Sequence, residues 1–119
     1  MDFKKVIVWT VTIFTAAVML LAGVGKITQP EFWQQQFINA WGLPGWLATV
    51  IGLAEITGAV LLLAPRTAVY GGAIIASVMI GASATHVAAG EFERLPITLT
   101  LGAFAAFVAW YRCPWGTTD

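Results

Sequence analysis

Four continuous apolar runs, at residues 6–24, 46–63, 68–89 and 95–111, fill most of this 119-residue chain. Each is at or near the roughly 17–25 residues with which a helix crosses a hydrocarbon core. Lipid offers no partners to backbone N–H and C=O groups, so a spanning segment must be a helix or part of a closed barrel. The runs are unbroken rather than alternating, which excludes barrel strands. The expected fold is all-α: a four-transmembrane-helix antiparallel bundle forming one domain over residues 1–119.

Composition points the same way. Apolar residues make up 59% and charged residues 10%, where a soluble domain carries about 25% charged residues. Too few charges remain to cover a water-facing surface. Six basic and six acidic residues cancel, so there is no basic stripe and no nucleic-acid partner is expected. A single cysteine, Cys113, excludes an intrachain disulfide or a Cys-x-x-Cys pair, and a single histidine, His86, leaves no Cys/His metal set. Lys4 and Lys5 before the first run resemble the start of a signal peptide, but the run exceeds the 7–15 residues or so of a signal core and reads as a retained helix.

Lys4, Lys5, Arg66 and Arg112 fall on one side of the bundle, Lys26 and Arg94 on the other. The positive-inside bias places both termini in the cytoplasm. Trp33, Trp41, Trp46 and Phe92 would then mark the outer interface, and Tyr70, Trp110, Tyr111 and Trp115 the inner one. Residues 64–67 make a tight turn and an antiparallel hairpin. Residues 29–41 have a different pattern. Phe32, Trp33, Phe37, Ile38 and Trp41 form an apolar stripe against Gln34, Gln35 and Asn39, and Gly42 and Pro44 stop the helix. This predicts a short amphipathic interfacial helix, either an anchor or a cover over a site. Thr28 and Glu31 have capping-box spacing at its start.

Three residues stand out for chemistry. Glu55 lies nine residues into the second run, about 14 Å deep at 1.5 Å per residue. A bare charge there costs about 3 kcal/mol or more, so it must face the bundle and be paired, hydrated or protonated. Ala48, Gly52 and Ala59 share its face and let another helix approach closely. Lys26 ends the first run, on the face of Thr12, Thr15, Ala16, Met19, Ala22 and Gly23. It either snorkels to headgroups or partners an acid, Glu55 being nearest in depth. His86 closes the third run. It is suited to relaying protons, to bonding a quinone carbonyl, or to bonding Glu55, Glu91 or a backbone carbonyl. Together the three residues predict one polar cluster, ligand-binding or proton-handling, in the outer half of the bundle. Arg94 with Glu91 and Glu93 reads as a solvated loop, and Thr98 as a packing residue.

The run 21–26, Leu-Ala-Gly-Val-Gly-Lys, and the run 52–63, in which Glu55 stands between Gly52 and Gly58, resemble the DoxX family. The short 64–67 turn and the Gly/Ala-rich third run agree with it. The resemblance implies a multi-pass protein of a prokaryotic cytoplasmic (inner) membrane. Some members of the family are subunits or neighbours of redox systems such as thiosulfate:quinone oxidoreductase. Lys26 and Glu55 match its motif positions, and His86 is carried over less directly. The expected function is an accessory or anchoring subunit of a redox, quinone-linked membrane system, oxidoreductase-associated rather than a stand-alone enzyme. Its partners would be the bilayer and a redox complex or a second copy. The ligand would be a quinone, with no covalently bound cofactor and no catalytic residue assigned. Two alternatives stay open: a small proton-coupled transporter using Glu55, and a structural or assembly partner of a larger membrane protein.

Overall fold

The computed structural model describes residues 2–114. Trp115, expected at an interface, lies outside them. Helix α1 spans Phe3–Thr28, α2 Pro30–Trp41, α3 Trp46–Leu63, α4 Ala68–Ala88 and α5 Leu95–Arg112, with a short 3-10 turn at Phe92–Arg94 before α5. Four of these, α1, α3, α4 and the segment Phe92–Arg112, are long and apolar enough to cross a membrane. The bundle is elongated, 48 × 27 × 24 Å.

Helix α1 outruns its apolar core at both ends. The Asp2 carboxylate caps it by accepting a bond from the Lys4 N–H at 3.0 Å. At the far end the Thr28 hydroxyl donates to the Val24 carbonyl, 2.8 Å away. That bond corrects the expected capping box: Thr28 is the last residue of α1, Gln29 precedes α2, and no side chain caps the α2 N-terminus. Pro30 starts α2, where its missing N–H costs nothing.

The helices pack in the order α1–α3–α4–α5, and α1 and α5 close the ring. Glycine sets the close approaches. A methyl group on Gly23 would stand 2.7 Å from the Gly52 carbonyl oxygen, so α1 and α3 meet backbone to backbone. A methyl group on Gly71 would collide with the backbone of Leu62 and Gly58, which locks the α3–α4 hairpin in the same way. Between these seams Met19, Leu62, Ile75, Met79, Leu101 and Val108 fill the core. Large apolar side chains such as Leu21, Val60, Ile80 and Ile97 face outward, as expected where the surrounding solvent is hydrocarbon.

The two ends of the bundle are built differently. At one, the Arg112 guanidinium lies 5.0 Å from the Trp9 ring and 5.5 Å from the Tyr111 ring, joining α1 to α5. At the other, α2 lies across the ends of the long helices and contacts α3 and α1. The predicted apolar stripe of α2 divides there. Trp33, Phe37 and Trp41, spaced by four, turn toward the bundle, while Phe32 and Ile38 are exposed.

Candidate functional site

Beneath α2 the close α1–α3 seam brings two opposite charges together. The Lys26 ammonium donates to Glu55 Oε1 at 3.0 Å, and the two side chains are only 11% and 4% exposed. Gly52 makes the contact feasible, because a methyl group there would sit 2.9 Å from Lys26 Cβ. Two charges withdrawn from water are tolerable only when paired. Their remaining hydrogen-bonding capacity is mostly unused: among the described residues, no protein group bonds the second Glu55 oxygen. Trp33 of α2 covers the pair, its ring centroid 4.6 Å from Lys26 Nζ. A cation facing a desolvated indole gains about 2 kcal/mol.

A second pair forms at the end of α4. Gly90 adopts φ +75°, a backbone conformation that residues with a side chain rarely take. Its N–H bonds the Val87 carbonyl, and the Glu91 N–H bonds the His86 carbonyl at 2.8 Å. This is a Schellman ending, and it folds Glu91 back over the last helical turn. Glu91 Oε1 then meets His86 Nδ1 at 2.7 Å and accepts a bond from Trp41 Nε1 at 2.9 Å. The Trp41 ring stands edge-on to the imidazole, centroids 5.7 Å apart. The hydrogen bond from His86, then that from Trp41, holds the Glu91 carboxyl below the usual carboxylate range, with Arg94 adding to the effect. One turn before His86, the Ser83 and Thr98 hydroxyls are 2.8 Å apart and buried, tying α4 to α5.

The structure therefore corrects the expectation of a single cluster of Lys26, Glu55 and His86. Lys26 and Glu55 are joined, whereas His86 is joined to Glu91. The physical reason is the Gly90 turn, which delivers a carboxylate to the imidazole from five residues away. It also corrects the solvated-loop reading of Glu91, which is partly buried and bonded twice. Trp41 was read as an interfacial aromatic on the apolar stripe of that helix; here it is also a hydrogen-bond donor. The available signal was a helix-ending Gly90 between His86 and Glu91, with an indole on the amphipathic helix. Both pairs share the α2 cover. Trp33 lies over one, Trp41 over the other, and Phe37, buried and 5.0 Å from the Trp41 ring, sits between them on α2. A groove of about 330 Å³ opens beside the second pair, lined by Ala40, Trp41, Leu43, Ala84, Thr85 and Ala88 among others.

Chemically, the α2 end offers a buried ammonium with spare donors, a buried carboxylate with a spare acceptor, and an imidazole–carboxylate pair nearer the surface. Among the described residues, no group of three or more His, Cys, Asp or Glu is placed to hold a metal ion. The sequence profile of the DoxX-like family matches residues 10–108. No curated protein and no solved structure matches the chain significantly. The match takes in α3, α4, most of α1 and α5 and both ion pairs, and the chain belongs to the DoxX-like family of membrane proteins.

Proposed function

We propose that this protein is an accessory or anchoring subunit of a redox, quinone-linked system in a prokaryotic cytoplasmic membrane, with both termini cytoplasmic. The observation that carries the reading is the Lys26–Glu55 pair, buried inside a membrane-embedded bundle yet left with unused donors and an unused acceptor. Ionisable residues kept within a membrane bundle mark functional sites by default. A quinone head presents carbonyl acceptors for Lys26 and, when reduced, hydroxyl donors for Glu55. His86, with Glu91, would exchange protons at the surface end of the same region. The anchoring role draws support from α4, whose outward face is mostly small, with Ala73, Ser77, Gly81, Ala84 and Ala88 interrupted by Ile80, and small residues let a partner helix pack closely.

Purification from native membranes in mild detergent, with mass spectrometry of retained proteins and extracted quinones, tests the reading. Wild type should retain a redox enzyme or a quinone, and Glu55→Gln should lose it. Retention of neither by the wild type contradicts the proposal.

The position of Glu55 on a membrane-spanning helix also favours a second reading, a small proton-coupled carrier. Substrate-driven proton flux in vesicles that disappears in Glu55→Gln would select it. Unchanged flux would remove it.

A further inference from the structure

Helix α2 is joined to the bundle by two interruptions of helical backbone. Gln29, with φ −125° and ψ 60°, breaks it from α1. Gly42, at φ +66°, breaks it from α3 and is followed by Pro44 and Gly45. Most of its surface is exposed or half-buried, and Phe37 is its one buried residue. At its N-terminal end the indole of Trp33 lies over Lys26. At its C-terminal end the Trp41 N–H is held by Glu91, which is itself held by His86. A short amphipathic helix with a break at each end and one polar anchor is built to move as a unit.

We propose that α2 is a hinged cover over the Lys26–Glu55 pair, held shut by a Trp41–Glu91–His86 latch. The device is independent of which ligand the protein binds.

The census of charges around the latch supports the assignment. From α2 the only ionisable residue is Glu31, in the first turn at the opposite end of that helix. From α3 and α1 the nearby charges are Glu55 and Lys26, already paired with each other. Helix α4 carries Tyr70 at its other end. Helix α5 carries Tyr111 and Arg112 at its other end, and the turn before it carries Glu93 and Arg94, both exposed. Arg94 acts on Glu91 and favours its ionised form. The bonds from His86 and Trp41 keep Glu91 ionised. Only at low pH, as Glu91 is neutralised, does the latch lose its acceptor charge.

Amide hydrogen exchange of the full chain in lipid nanodiscs, corrected for intrinsic exchange rates, reads the opening of α2 directly. Glu91→Ala should speed α2 exchange about tenfold while α3, α4 and α5 keep their protection. Trp41→Phe, which keeps the ring and removes only the donor, should do the same to a lesser degree and serves if Glu91→Ala does not fold. A companion probe places a thiol under the cover. A Cβ at Gly25 meets only the Trp33 indole nitrogen, 3.9 Å away, so Gly25→Cys in a Cys113→Ser background fits there. Its labelling should accelerate together with α2 exchange. Exchange of α2 that ignores both latch variants would overturn the proposal and leave the lipid interface as what holds the helix. Faster α2 exchange without faster labelling would overturn the cover.

Discussion

The two acid–base pairs under α2 use similar groups at similar distances, 3.0 Å for Lys26–Glu55 and 2.7 Å for His86–Glu91, and differ in surroundings. Lys26–Glu55 joins two membrane-spanning helices across a glycine seam, with almost no access to solvent. His86–Glu91 joins a helix end to its own following turn, and its carboxylate is partly exposed. The comparison teaches that geometry alone does not set the worth of an ion pair. Where water is excluded, losing one partner strands a charge. Where water reaches, it replaces most of what is lost.

The largest expected effect comes from the buried pair. Glu55→Ala or Lys26→Ala leaves the other charge stranded and should destabilise the protein by about 3–5 kcal/mol, measured by denaturant unfolding in detergent micelles. Gly71→Leu should follow, because its side chain must displace the backbone of Leu62 and Gly58; overpacking of this kind costs about 1–3 kcal/mol. Trp33→Leu keeps apolar cover but removes the π face over Lys26, with an expected loss of about 1–2 kcal/mol. If Trp33→Leu costs as much as Lys26→Ala, the cover and the pair act as one unit and the contrast drawn above sharpens further.

Legibility in the sequence follows the same division. The four spans and the interfacial helix were readable because each rests on an uninterrupted local pattern. The depth of Glu55 and the small residues beside it were enough to demand a partner, and Lys26 was the nearest candidate. Glu91 was one of several partners open to His86 in the sequence, and which of them it takes depends on the direction in which the chain leaves α4. Gly90 sets that direction by one positive φ angle, and the glycine itself was the signal available for it. The Thr28–Glu31 spacing misled for a related reason. The hydroxyl of Thr28 found a carbonyl one turn back in α1 before it could serve α2. Spacing identifies groups that are able to bond, and the backbone path decides which of them do.

The smallest expected effect is at the pair nearer the surface and depends on pH. Glu91 is held below its ordinary carboxylate range. Its contribution is therefore fully present above the carboxylate's ordinary value, about 4.3, and is lost as pH falls through the lowered value. Acid titration of the wild type should weaken the docking of α2 only in that low range, read from the fluorescence change of the indoles on α2. Glu91→Gln should remove the transition. A transition that persists in Glu91→Gln would assign it to another carboxylate and break the contrast between the two pairs.

The most direct test of the central claim, that Lys26 and Glu55 depend on each other inside the bundle, is a double-mutant cycle with Lys26→Met, Glu55→Leu and the double variant, followed by unfolding in micelles. The account predicts two strongly destabilised single variants and a double variant that recovers most of the loss, a coupling of at least about 1.5 kcal/mol. Single effects that simply add in the double variant would contradict it.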